Sequence, residues 1–176
     1  MRISRTGEYI LELSRRRAPA VEELRLRPWL EHFKQQFSEV PDTQRCDLRL
    51  SCDEDLLIAV VPNQLQQIRH NLCANGMRYA IQKAEQDQRE PQLQLNAYRM
   101  GERLELDVID NGGGVADEQR HHLFEPFYTT EHNGTGLGLY LCRELCETNH
   151  ATIQYLPLAD GSCFRLSLQA TKPSYL

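Results

Sequence analysis

Long apolar runs are missing from this chain. No stretch of its 176 residues approaches the roughly 18 consecutive apolar residues of a helical membrane span, and no signal peptide is legible ahead of the first expected helix. A positive charge excess is missing too. The formal net charge of -5 argues against a nucleic-acid binder, which would need a basic face. The six cysteines (Cys46, Cys52, Cys73, Cys142, Cys146 and Cys163) contain no C-x-x-C pair, so we expect them reduced and mostly buried. Cys142, Cys146 and His150 could share a helical face, but a structural zinc site wants four ligands in recognisable spacings. There is no internal repeat, no low-complexity segment and no Gly-Lys-Ser/Thr, which excludes a Walker-type phosphate loop. Glycine is scarce outside one stretch: six of the ten lie between Asp107 and Leu145.

Those six form two clusters, Gly112-Gly113-Gly114 and Gly134-Thr135-Gly136-Leu137-Gly138. The first follows a strand-like alternation, Leu104, Leu106, Val108, and closes on Asp110-Asn111. A strand that stops at an acid and then three glycines brings bare backbone close to something flat or charged. The second opens a helix, because Leu137, Leu141 and Leu145 recur at helical spacing. Free N–H groups at such a helix start form an anion cradle, and phosphate is the usual guest. Glycines often only make turns, and the second cluster follows a polar loop where a dinucleotide fingerprint needs a strand. Two clusters bracketing one element nevertheless point to a nucleotide.

The remaining chain predicts an α/β sandwich. Ile3 to Arg17 reads as a helix whose narrow stripe of Ile3, Ile10 and Leu13 needs a partner. Leu24 to Leu26 alternates like a short strand, and Pro28 starts a helix carrying Trp29, Leu30, Phe33 and Phe37. Cys46–Leu50 and Leu56–Val61 read as strands around a polar turn at Ser51–Asp55. A long helix is predicted over Gln64–Gln86. Strand pairs follow at Leu93–Ala97 with Leu104–Val108, and at Ala151–Leu156 with Cys163–Leu168. The sum is a two-layer sandwich: a mixed, largely antiparallel sheet with helices on one face.

The long helix carries a second constellation. Leu65, Ile68, Leu72, Gly76 and Ala80 trace its buried stripe, and Asn71, Asn75 and Arg78 fall together on a neighbouring strip. Tyr79 sits at the border. Asparagines are poor interior helix residues, so two on one face ask for a reason beyond solvation. An amide oxygen is a hard ligand suited to Mg²⁺, and Arg78 suits phosphate.

These residues resemble a known family. Asn71-Leu-Cys-Ala-Asn75-Gly-Met-Arg78-Tyr79 resembles the N-box of sensor histidine kinases, and Asp110-Asn-Gly112-Gly-Gly114 their G1 box. Leu123-Phe124-Glu-Pro126-Phe127 resembles the F box, and Gly134-Thr-Gly136-Leu-Gly138-Leu the G2 box. All four occur in order between residues 63 and 148. The resemblance implies the Bergerat-type ATP-binding fold shared with gyrase, Hsp90 and mismatch-repair ATPases. Leu13-Ser-Arg-Arg-Arg17 and the following Trp29, Phe33, Phe37 pattern resemble the nitrogen-regulation and pilus-regulation kinases in particular. By the same resemblance residues 1–18 are the end of the second dimerisation helix and its linker, 19–171 the catalytic ATP-binding domain, and 172–176 a tail.

The resemblance also implies roles. Asp110 accepts from the adenine amino group, and Gly112 and Gly114 let the base approach. Tyr79 packs on adenine. Asn75 ligates Mg²⁺, with Asn71 supporting metal and phosphates, and Arg78 takes the place of the usual lysine. Phe124 to Asn133 form the ATP lid, where Phe127 and Thr130 meet the nucleotide. Gly134, Thr135, Gly136, Leu137 and Gly138 cradle phosphates. Gly113 departs from the common proline. No phosphoacceptor segment is present either: none of His32, His70, His121, His122, His132 and His150 is followed by an acid. The chain is thus expected to be cut from a longer cytoplasmic kinase portion, whose parent can be anchored in the bacterial inner membrane. Its implied partners are the parent's dimerisation and phosphoacceptor domain and a response regulator, with no nucleic acid and no direct membrane contact. Two alternatives stay open: an ATP hydrolase of the same fold, which places a glutamate where Asn71 stands, and a nucleotide-binding module without transferase activity.

Overall fold

Strand β1 (Glu22–Arg25) runs straight into helix α1 (Leu26–Glu39) in the computed structural model, which describes residues 19–54, 56–132 and 134–171. The segment expected to end a dimerisation helix (1–18) and the expected tail (172–176) lie outside the described residues. Leu26, expected in the strand, opens the helix, and Pro28 sits inside its first turn. Proline is tolerated there because the first N–H groups of a helix have no intrahelical acceptor. Leu26, Leu30 and Phe37 form the buried face.

A 3-10 turn at Pro41–Arg45 leads to β2 (Asp47–Cys52), and β3 (Leu57–Val60) follows. These two strands do not form one unit about the polar turn between them. β2 joins the main sheet parallel to β4, whereas β3 leaves it and pairs antiparallel with β1 in a small second sheet. The chain parts company with the main sheet after Asp53, whose N–H donates to Ala97 at 2.9 Å.

Helix α2 (Pro62–Asp87) begins two residues earlier than Gln64, since proline fits the first helical position. Leu65, Ile68, Leu72, Gly76 and Ala80 are buried as the periodicity requires. Gly76 brings α2 close to the sheet: a Cβ there would lie 2.9 Å from Leu93 and 3.3 Å from the Cβ of Asp110. The hairpins β4 (Gln92–Met100)–β5 (Arg103–Asp110) and β6 (Thr152–Leu158)–β7 (Gly161–Gln169) complete the five-stranded sheet, in the order β2-β4-β5-β7-β6. All its pairings but β2–β4 are antiparallel.

One face of the sheet (Leu93, Leu95, Leu104, Leu106, Phe164, Leu166) shares a continuous core with α1, α2 and α4 (Gly138–Thr148). The opposite face is polar, and Arg165 clamps Asp107 there with bonds of 2.7 and 2.8 Å. A four-residue helix, α3 (Asp117–Arg120), lies between β5 and α4. Asn149 ties the far ends of the helices together: it accepts from the Val61 N–H at 2.7 Å and donates to Gln64 at 2.8 Å. All six cysteines are free, and five are buried. Cys142 and Cys146 lie in the core while His150 is exposed, and among the described residues no cluster of His, Cys, Asp and Glu could hold a metal. No helix among them is long and apolar enough to cross a membrane.

Candidate functional site

Strand alternation turns Leu104, Leu106 and Val108 inward, and Asp110 continues that row into the core. The carboxylate is 5% exposed. Burial pushes its pKa up to about 6, while hydrogen bonds from the backbone N–H groups of Gly112 and Ser162 pull the other way. The Gly112 bond measures 2.8 Å. A buried carboxylate without a salt-bridge partner is costly, and here two amides are what it has.

The turn around Asp110 is braced from several sides. Gly161 touches it so closely that a Cβ would be driven into the Asp110 carbonyl oxygen. Arg89, just past the left-handed cap of α2 at Gln88, bonds to the Asn111 carbonyl and to Asp160. Asn111 accepts from the Gln92 N–H at 2.9 Å and donates to the Glu90 carbonyl at 2.9 Å. Downstream, the Val115 N–H donates to the Tyr155 hydroxyl at 3.0 Å.

From this turn a cleft of about 290 Å³ extends between α2 and the start of α4. It brings together Asn71, Asn75, Arg78, Tyr79, Gly112, Gly114, Thr130, Gly134, Thr135, Gly136 and Gly138, residues far apart in sequence. Asp110 lies just beneath, reached through Gly112. On the α2 side, Asn75 Oδ1 accepts from Arg78 at 2.9 Å, and Arg78 Nε sits 2.7 Å from Glu131 Oε1. Behind Asn71, the Cys142 thiol donates to the Ile68 carbonyl at 3.8 Å, and burial pushes its pKa up to about 12 while Asn71 pulls the other way. On the other side α4 begins at Gly138 with no side chain capping its N-terminus. Its first N–H groups therefore lack intrahelical partners, and Gly138 and Leu139 both line the cleft.

Gly136 adopts φ +70 and takes the Phe127 backbone against its bare Cα. The Phe127 N–H donates to the Gly136 carbonyl at 3.0 Å, so this glycine pins the intervening segment to the helix start. Phe127 is itself left-handed (φ 65) and 76% exposed. Its ring is not among the cleft walls, and neither is Leu137, which is 38% exposed. Expected as nucleotide contacts, these two turn their side chains to solvent, and the Leu137 N–H goes to Thr135 Oγ1 at 3.4 Å.

Sequence reasoning missed other walls, Gln119, Ser162 and Phe164, and placed Leu123 and Tyr128 only as members of the F-box motif and the lid. The alternation Phe164, Leu166, Leu168 along β7 carries the signal for Phe164. Ser162, beside the Gly161 turn, carries none that is local. Phe124 stacks edge-on against Phe164 at 6.2 Å, anchoring one root of the segment over the cleft.

Residues 60–172 match the family described as histidine kinase-, DNA gyrase B-, and HSP90-like ATPase. The chain belongs to this ATPase family. ATP binding comes with membership. Over 170 residues the chain is 41% identical to the sensor protein kinase PilS of Pseudomonas aeruginosa, an alignment covering 91% of this chain and 30% of that protein. It is 38% identical over 112 residues to the nitrogen regulation protein NtrY of Azorhizobium caulinodans, covering 62% of this chain and 14% of that one. The chain thus spans less than a third of the length of these relatives. The ATPase fold also matches the nucleotide-free catalytic domain of the histidine kinase ThkA, with TM-score 0.73 and 22% identity over 85% of this chain and 95% of that one. ThkA in complex with the response regulator protein TrrA aligns with TM-score 0.72 and 21% identity, over 96% of this chain and 47% of that chain. At such identities the likeness speaks for the ATPase fold alone.

Proposed function

We propose that this chain is the ATP-binding catalytic portion of a two-component sensor histidine kinase, working in the cytoplasm where ATP is supplied. The observation that carries this is one cleft with a buried acid at one end and an uncapped helix start facing Asn71, Asn75 and Arg78 at the other. Asp110 accepts from the exocyclic amine of adenine, the base lies along Gly112 and Gly114, and Tyr79 covers it. The N–H groups at Gly134 to Leu139 and the guanidinium of Arg78 take the phosphates.

The donors on the α2 side fit a magnesium ion: the Asn71 and Asn75 amide oxygens are hard, few, and set in a cleft with room for waters. Asn75 would hold the ion, with Asn71 in support; when bound it neutralises phosphate charge. Phosphoryl transfer asks little covalent work of the protein, so positioning and charge stabilisation carry the catalysis. The segment over the cleft, rooted by Phe124 and by the Phe127–Gly136 bond, excludes water from the phosphates. The acceptor is an imidazole on the dimerisation domain of the parent kinase, and a response regulator then receives the phosphate.

Calorimetry with ATP, with and without Mg²⁺, tests the site. Asn75→Ala should lose the gain in affinity that Mg²⁺ gives the parent, and an unchanged gain would move the metal elsewhere. Incubation with γ-labelled ATP tests the reaction. This chain should acquire no acid-labile label alone and should transfer label slowly to a separate fragment carrying the dimerisation helices. Stoichiometric label on one of its own six histidines would overturn that assignment.

A further inference from the structure

An acid sits in the middle of the anion site. Among the residues lining the cleft, Arg78 is the one cation and Glu131 the one carboxylate, and the two meet at 2.7 Å. Glu131 is only 22% exposed at its side chain, and its Oε1 is fully buried without a well-aligned hydrogen bond. The contact is therefore one of charge, close in distance and poor in direction.

Local bonds set the carboxylate there. The Glu131 N–H donates to Thr129 Oγ1 at 3.1 Å, and its carbonyl accepts from the Gly134 N–H at 3.3 Å. Arg78 bridges outward from α2, one end on Glu131 and the other on Asn75 Oδ1. A carboxylate occupies the guanidinium that the phosphates need, and the same guanidinium covers the amide oxygen that a metal ion needs.

Building on the ATP-site reading above, we infer that Glu131 is an internal phosphate mimic, which latches the segment over the cleft to α2 until the phosphates of a nucleotide displace it. The latch makes Glu131 a determinant of specificity. A ligand with phosphates takes Arg78, frees Asn75 and shifts the segment from its hold on α2 to cover the phosphates, whereas a nucleoside without them leaves the ion pair standing. A closed, latched population lowers apparent affinity by the fraction it occupies. The carboxylate also repels the polyphosphate directly.

The test compares ATP with adenosine on the parent and on Glu131→Gln, which keeps size and removes charge. ATP should bind Glu131→Gln about five- to tenfold more tightly than the parent, the loss of a half-exposed ion pair plus relief of repulsion. Adenosine should bind both alike. Without ligand, amide hydrogen exchange across residues 128–132 should speed up in Glu131→Gln. Equal ATP affinity in the two proteins would overturn the latch, and so would a matching rise for adenosine, which would assign Glu131 to the pocket in general. Failure of the parent itself to bind ATP would strike the site reading instead, and so is told apart from failure of the latch.

Discussion

The two ends of the cleft are built on opposite principles. At the base end, Asp110 is buried at the close of a central strand and fixed by Gly112, Ser162, Gly161 and the Arg89–Asn111 brace. At the phosphate end, Gly138 faces open space, no side chain caps the helix start, and the charged contact is an ion pair that a ligand can replace. The difference fits what the proposed function has each end recognise. A base is a flat body of fixed shape, best met by a rigid slot assembled beforehand, so that little is lost in ordering it. On the proposed function, phosphates bring charge and a metal ion, and they leave once the outermost phosphoryl group has moved. An end that must release its ligand works better with exchangeable contacts and a segment that can open.

The sharpest way to break this contrast is a methyl group at the rigid end. Gly161→Ala drives a Cβ into the Asp110 carbonyl, and backbone on both sides leaves no flexible neighbour to yield. Denaturant unfolding should show a loss of about 2–3 kcal/mol, the cost of overfilling a packed site, together with lost ATP binding. A stability within 0.5 kcal/mol of the parent, inside the usual range for neutral surface changes, would mean the slot is not rigid.

Next in size is the acid itself. Asp110→Asn should weaken ATP binding by about 1.5–3 kcal/mol, the range for hydrogen bonds to a charged group. The sign of the pH effect follows from burial, which raises the folded pKa from 3.8 to about 6. Above that value the carboxylate is ionised and accepts; as pH falls through it, Asp110 takes a proton and recognition fades. Calorimetry from pH 7.5 down to 5 should show the gap between parent and Asp110→Asn closing, with the titration of ATP itself common to both. The same shift means that folding takes up a proton between the two pKa values. This group therefore lowers stability when ionised, and its contribution improves as pH drops from above 6 towards 4. A gap that stays constant with pH would remove Asp110 from base recognition.

The smallest effect probes the open end. Gly138 starts α4 with nothing within 4 Å of where a Cβ would stand. Gly138→Ala should raise stability by about 0.4–1 kcal/mol through lost unfolded-state freedom. ATP affinity should nonetheless fall, because the new methyl group stands where phosphate approaches. Stability and affinity moving together would mean that both ends follow one rule.

Much of this molecule is legible in local pattern. The buried stripe of α2, the inward row ending at Asp110 and the glycine clusters all rest on residues within a few positions of one another, where periodicity and turn chemistry act. The same patterns led to Asn71, Asn75 and Arg78 as one strip and to the sandwich as a fold. Local pattern misplaced the start of α1, since proline tolerates a first helical turn as readily as a helix start. It also could not say that β3 would abandon β2 for β1, because both partners offer similar alternating surfaces and only packing chooses between them. Gly161 beneath Asp110, Arg89 on Asn111 and Glu131 against Arg78 are long-range contacts too. The sequence by itself determined which chemical groups exist and which faces they occupy, because those follow from the repeat of helix and strand. The tertiary structure alone decided which groups meet, because that depends on how close two elements can approach, and at Gly76, Gly136 and Gly161 the approach is limited only by the backbone.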